Sequence, residues 1–243
     1  MLRDSTPLIT TNIWLAKLKF LYLTILAIYL IIFTFIKETC TLLTIYLTRH
    51  GLTEWNVNRI MQGWGNGELT EKGINDAKAL GKRLADVKID KVYSSTSKRA
   101  YETAKYIIGD REISLIQEDD LREMHFGDWD GRIRDEIEAE FPDEFKIFWE
   151  TPHLFETETG ETFHQLKKRA VDVFERIIDE NPSGTILIVT HSLFLRVLLT
   201  HIKNSPISDV FKATPPGNTS LTKLEFINGK IELVFENDMQ HVK

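Results

Sequence analysis

The chain reads as an α/β protein: a three-layer sandwich with a mostly parallel central sheet and helices on both faces. Three observations point there. From residue 43 onward, strand-like and helix-like patterns alternate, the arrangement that builds parallel sheets. Two continuous apolar runs, Leu42 to Thr48 and Thr185 to Thr190, read as strands buried on both sides. Between and after them lie segments with apolar residues at helical spacing.

The elements follow in order. Leu42 to Thr48 leads directly into Arg49-His50-Gly51, and the polar, glycine-rich stretch Gly51 to Thr70 is expected to be a loop. Glu71 to Val87 carries Ile74, Ala77, Leu80 and Leu84 on one helical face, with Thr70 as its N-cap. Ile89 to Tyr93 is a short strand, and Ser94 to Ser97 a hydroxyl-rich turn. Lys98 to Ile108 is a helix, Ile113 to Gln117 a candidate short strand, and Asp119 to Gly131 a loop. Ile133 to Trp149 reads as helical pieces broken at Pro142. Thr162 to Glu180 is a long amphipathic helix. After Thr185 to Thr190 comes the helix Leu193 to Ile202. Ser220 to Phe226 and Lys230 to Phe235 form a hairpin around Asn228-Gly229. The expected organisation is an N-terminal hydrophobic extension, residues 1–43, and one domain, residues 44–243.

Composition sets limits. With 243 residues, 42% hydrophobic and 27% charged, the chain is ordinary for a globular protein. A formal net charge of −6 gives no general basic field for nucleic acid, so any phosphate specificity needs a local arginine cluster. Cys40 is the only cysteine, which excludes intrachain disulfides and cysteine-rich zinc sites and fits a reducing compartment.

The N-terminus stands apart. Phe20 to Ile36 holds no charged residue, and about 17 positions is the lower limit for spanning a bilayer. Three readings stay open: a signal anchor, a cleaved signal (though no small-residue cleavage site follows), or a start of translation further downstream, near Thr44. A membrane contact is expected through Phe20–Ile36 only, with the domain itself cytoplasmic.

The chemistry gathers at strand ends. In open α/β sheets, ligands bind beyond the carboxyl ends of the strands. One buried run ends on Arg49-His50, with a glycine after it; the other ends on His191. That suggests a pocket for an anion with a nitrogen nucleophile. Arg99 starts a helix after the Ser94–Ser97 turn, a position that favours phosphate oxygens. The histidines lack the spacing of a zinc helix and no carboxylate cluster resembles a magnesium site, so no metal or cofactor is implied. No Gly-x-Ser-x-Gly elbow occurs.

Four ordered blocks carry a family resemblance over residues 44 to 242. Leu47 to Asn56 resembles the signature of the histidine phosphatase superfamily, the phosphoglycerate mutase-like proteins. Ser94 to Ala104, Leu121 to Gly131 and Val189 to Ser192 resemble its second, third and fourth blocks. The third block is most like the broad-specificity and α-ribazole phosphatases. The resemblance implies that His50 takes the phosphoryl group as a phosphohistidine. Arg49, Asn56, Arg99 and a protonated His191 would hold the equatorial oxygens, with Gln62 and Gly63 as further substrate contacts. Glu123 would protonate the leaving oxygen and then activate water. Ser192 stands where the family more often has glycine, which bears on substrate preference.

The function so implied is metal-independent hydrolysis of a small phosphomonoester. A cofactor-dependent phosphoglycerate mutase and a non-catalytic phospholigand-binding module are the alternatives. Specificity is expected within Phe126–Phe163, whose aromatic residues Trp129, Phe141, Phe145 and Trp149 are read mainly as packing. Neither the physiological substrate nor the oligomeric state is legible.

Overall fold

The computed structural model describes Lys17, residues 19–28 and residues 42–242. The chain divides into two compact units, residues 1–41 and residues 42–243. In the first, Lys17 and residues 19–28 are helical and exposed; the remainder of the Phe20–Ile36 run lies outside the described residues. Among the described residues, no helix is long and apolar enough to cross a membrane.

The second unit is built on a sheet of strands β1 (Leu42–Arg49), β2 (Lys91–Ser95), β3 (Ser114–Glu118), β4 (Gly184–Thr190), β5 (Leu221–Ile227) and β6 (Lys230–Asp238). Their order is β3-β2-β4-β1-β5-β6. The first four are mutually parallel; β5 runs antiparallel to β1, and β6 to β5. The helices are α1 (Glu54–Val57), α2 (Glu71–Arg83), α3 (Lys98–Ile108), α4 (Arg134–Glu140), α5 (Pro142–Glu150), α6 (Phe163–Asp179) and α7 (Ser192–Ile202). The expected sandwich is present. Ile186 and Ile188 of β4 pack into one core with Leu166 and Val173 of α6 and Val197 of α7. Leu187 and Val189 point to the other face, against Leu80 of α2 and Ala104 and Ile107 of α3. Period-two alternation with apolar partners on both sides is why β4 is a continuous apolar run.

Local signals start the helices. Thr70 Oγ1 accepts the Gly73 N–H at 3.0 Å to begin α2. Thr162 and Gln165 make a reciprocal capping box for α6. The α2 helix ends at Arg83, short of Val87, because the Ala85 and Val87 N–H groups bond three residues back and tighten the chain into turns. The expected loop Gly51–Thr70 contains α1, which Thr53 and Asn56 cap reciprocally. The expected loop Asp119–Gly131 contains two 3-10 turns, Asp119–Leu121 and Gly127–Trp129.

What matters for the site is the register of β1 on β4. Arg49 pairs with Thr190, so the next residues, His50 and His191, leave neighbouring strands side by side.

Candidate active site

His50 sits just beyond β1, with its N–H bonded to Thr190 O at 2.9 Å. The turn that follows is held from two sides. The Gly51 N–H donates to Thr103 Oγ1 of α3 at 2.9 Å. Gly51 also lies against Gly73 of α2: a Cβ on Gly73 would stand 2.2 Å from Leu52 O, so only glycine permits this approach. His50 is buried, and its Nδ1 faces Gly51 O at 2.8 Å. A carbonyl only accepts, so the neutral ring carries its proton on Nδ1 and leaves the Nε2 lone pair free.

Electrostatics keep it so. Burial first, then Arg99 and Arg49, push the His50 imidazole well below its ordinary range; the Gly51 carbonyl opposes them weakly. Arg99 is fully buried, its Nη atoms on Gly63 O and Gly65 O at 2.8 and 2.5 Å. Arg49 gives one Nη to Pro216 O at 3.0 Å. Burial lowers both guanidiniums to about 10, partly offset by Glu123, so both remain charged at neutral pH.

Glu123 is 7% exposed. Its carboxylate accepts the N–H groups of Met124 and Phe194 on Oε1 and of Leu193 on Oε2, all within 3.0–3.1 Å. Two of these donors belong to the first turn of α7, a natural seat for negative charge.

His191 is fully buried, its ring centroid 5.2 Å from that of His50. Its Nε2 lies 2.8 Å from Ser95 Oγ, an oxygen that also accepts the Ser97 N–H at 3.2 Å. This favours donation of the Ser95 hydroxyl proton to Nε2, with the ring's own proton on Nδ1, a buried atom without a partner. The protonated His191 expected from the sequence is corrected here. Burial, then Arg99, His50, Arg49 and Arg169, hold this imidazole well below its ordinary range, so it is neutral at pH 7.

Asn56 does two jobs. Its Oδ1 accepts the Thr53 N–H and the Asn218 Nδ2, and the residue also faces the cavity. Asn218 Nδ2 is shared with His50 O at 3.0 Å. The next residue, Thr219, holds φ near 60°, unfavourable for a β-branched side chain, while its N–H closes on Arg49 O at 3.1 Å.

One cavity of about 390 Å³ joins these groups. Its walls include Arg49, His50, Asn56, Gln62, Gly63, Arg99, Glu123 and Ser192, eight of the nine residues expected from the sequence; the ninth, His191, is fully buried beside His50. Buried polar atoms without partners collect here: Arg49 Nε, Gln62 Oε1, Arg99 Nε, Arg134 Nε and Trp149 Nε1 all belong to residues of this wall. Such atoms are costly unless a polar ligand meets them.

The profile of the histidine phosphatase superfamily, branch 1, matches residues 45–239. The chain belongs to this superfamily. Among solved structures, this histidine phosphatase superposes on Bacillus stearothermophilus YhfR with a TM-score of 0.81 at 42% identity, covering 83% of this chain and all of that one. Among curated relatives, it is 31% identical to phosphoserine phosphatase 1 of Hydrogenobacter thermophilus, over 63% of this chain and 72% of that protein. It is 32% identical to a 2,3-bisphosphoglycerate-dependent phosphoglycerate mutase of Bartonella tribocorum, over 64% of this chain and 79% of that one.

Several residues of the site carry no signal of their own in the sequence. Ser95 was visible only as part of a hydroxyl-rich turn. Asn218 lies far along the chain from the residues it orders. Arg134 begins α4 and Arg196 lies within α7, and a helical arginine reads as surface. Asp130 was part of an acidic loop; it lies against Gly63, accepts the Trp64 N–H at 3.2 Å, and burial raises its carboxyl.

Proposed function

We propose that this histidine phosphatase is a phosphomonoester hydrolase working through a phosphohistidine on His50, with arginines rather than a metal supplying the positive charge. The observation that carries the reading is the state of His50. His50 lines the cavity with Nε2 free, and burial, then Arg99 and Arg49, keeps the ring unprotonated, which is what an in-line attack on phosphorus requires.

Two transfers make the reaction. In the first, Nε2 forms a bond to phosphorus as the P–O ester bond breaks, and the departing oxygen takes a proton from Glu123. In the second, water attacks the phosphohistidine as Glu123 takes back a proton; the N–P bond breaks and inorganic phosphate leaves. Arg49, Arg99, Asn56 and His191 Nδ1 are assigned to the three equatorial oxygens, where charge spreads as the phosphoryl group moves. Gln62, Gly63 and Ser192 are assigned to the remaining substrate contacts. The substrate is a small molecule, in keeping with the cavity's size.

A mutase is the second reading, because curated relatives such as the Bartonella protein carry that name. A mutase must keep its phosphohistidine from water and return the group to a phosphorylated acid. The Leu121–Gly131 block resembles the phosphatases instead. Release of phosphate from p-nitrophenyl phosphate, with no interconversion of 3- and 2-phosphoglycerate, is the expected result; the opposite pair of results ends the hydrolase reading. We also place the domain of residues 44–243 in the cytoplasm, consistent with a lone cysteine, and treat residues 1–43 as an extension to it.

A further inference from the structure

We infer that Asp130 is a positioning residue for Arg99, acting as its counter-charge across the Gly63–Trp64 peptide bond. Its bearing on turnover rests on the hydrolase reading; its geometry does not. Arg99 is fully buried, and among the described residues its guanidinium bonds only to carbonyls: Gly65 O through Nη1 at 2.5 Å and Gly63 O through Nη2 at 2.8 Å. A buried cation is costly unless its charge is met. The nearer of its two anchoring carbonyls by chain position, that of Gly63, shows how a carboxylate meets it at one remove.

The Gly63 carbonyl and the Trp64 N–H belong to one peptide unit. In a trans peptide they point to opposite sides, and the described residues include no cis bond. Arg99 takes the oxygen edge of this amide. On the nitrogen edge, the Trp64 N–H donates to Asp130 Oδ2 at 3.2 Å. A carboxylate and a guanidinium thus flank a single amide plane. Both polarise it in the same sense, one drawing on its proton and the other on its oxygen, so each hydrogen bond strengthens the other. The electrostatics agree. Burial lowers the Arg99 guanidinium, Glu123 opposes that most and Asp130 adds to it, while Arg99 in turn favours the charged form of Asp130. Glu123 lines the cavity, whereas Asp130 does not.

The surrounding backbone is built for this contact. The Gly131 N–H bonds to Met61 O at 2.8 Å and the Met61 N–H to Arg132 O at 2.9 Å, which lays the Gln62–Trp64 turn beside Asp130. Gly63 holds φ at 38°, and a Cβ there would stand 1.6 Å from Asp130 Oδ1, so only glycine admits the carboxylate to this spot. The Asp130 side chain is 18% exposed; its other neighbours are the Phe126 N–H, 3.3 Å from Oδ1, and His125 Nε2, 3.6 Å from Oδ2. With both Nη atoms anchored, the plane of the Arg99 guanidinium is fixed, and its Nε, buried without a partner, stays available to a phosphate oxygen. Removing the charge of Asp130 should loosen that anchor while leaving every group on the cavity wall in place.

Binding of inorganic phosphate to the full-length chain, measured by calorimetry, tests this without any need for turnover. Asp130→Asn keeps the side chain's shape and removes its charge, and binding should weaken about tenfold, the lower end for a hydrogen bond to a charged group. Asp130→Glu keeps the charge and should recover part of the loss. In an Arg99→Met background, Asp130→Asn should change the affinity by about twofold or less, because the group it acts through is gone. A purely structural Asp130 would weaken binding equally in both backgrounds; that outcome, or wild-type affinity in Asp130→Asn, overturns the inference. Should Arg99→Met fail to fold, NMR of Asp130→Asn decides. The Arg99 Nε–H resonance should move together with the Trp64 amide proton, and a Trp64 shift with Arg99 unmoved overturns the relay. Phosphate release from esters is assayed in parallel. A wild type that binds phosphate but hydrolyses nothing refutes the hydrolase reading and leaves the affinity comparison in force; a wild type without affinity for phosphate overturns both.

Discussion

Replacing Glu123 with glutamine removes an exchangeable proton while keeping the side chain's shape. The structural cost follows from its three hydrogen bonds. A glutamine carbonyl can keep the Met124 and Phe194 N–H groups, but its NH2 then faces the Leu193 N–H, donor against donor. One buried donor without a partner costs about 1–3 kcal/mol, against about 5–15 kcal/mol of total stability for a typical domain. The variant therefore folds, with a lower melting temperature. The chemical cost is larger and selective. General acid catalysis contributes roughly 10²–10⁴-fold where the leaving group needs a proton. Glycerol leaves as a strongly basic alkoxide; p-nitrophenolate leaves largely unaided. The measurement is kcat/KM for glycerol 3-phosphate and for p-nitrophenyl phosphate, because this quantity stops at the first irreversible step and leaves out hydrolysis of the adduct. The alkyl ester should lose about 10²–10⁴-fold and the aryl ester about tenfold or less. Equal losses for both would refute Glu123 as the acid.

His50→Ala should abolish an acid-labile, 32P-labelled adduct that acid quenching traps in the wild type; an adduct that persists places the nucleophile elsewhere. Turnover should survive EDTA, and loss of activity restored by added divalent cation would contradict the arginine-based reading. His50 and His191 are held well below the 6.5 they would show in an unfolded chain. Below that pH the unfolded state binds protons that the native state refuses, so stability should fall as pH drops through 6.5 and be unaffected by these groups well above it. Thermal melts against pH should be flatter for His191→Gln than for wild type, and parallel curves would show that the buried imidazoles do not titrate on unfolding. Gly73→Ala puts a methyl group 2.2 Å from a backbone oxygen beside the His50 turn, and overpacking of this kind costs about 1–3 kcal/mol. Its melting temperature should drop and its activity fall with it; a variant that melts like wild type would mean the α2 contact yields freely.

The sheet was legible because physics wrote it twice. Residues Ile186 to Val189 are apolar on both faces, and a strand buried on both faces has no other pattern available. The hairpin was equally plain, since Asn228 and Gly229 adopt the positive φ values, 50° and 79°, that the dipeptide favours. The residues of the first three blocks were legible through their order along the chain, and the cavity does bring Arg49, His50, Arg99 and Glu123 together. The neutral state of His191 was not, because it depends on burial beside two arginines that the fold delivers from α3 and from the end of β1. Nor was the lack of an ion-pair partner, among the described residues, for Arg134 and Arg196. An ion pair is a relation between distant residues, and its absence leaves no mark on the local sequence. Asn56 shows the intermediate case: cap or ligand looked like a choice from the sequence, whereas the side chain's two ends allow both.

The Asn218 side chain on His50 O, and the Thr219 N–H on Arg49 O, have a consequence for biogenesis. Ribosomes deliver His50 long before Asn218, so a nascent polypeptide possesses its nucleophile well ahead of the clasp that orders it. Closing so wide a loop is among the slower events of chain assembly. Recovery of turnover during refolding should thus lag behind the regain of helix signal, and truncation upstream of residue 218 should leave an inert product even where β1 and β4 have already paired.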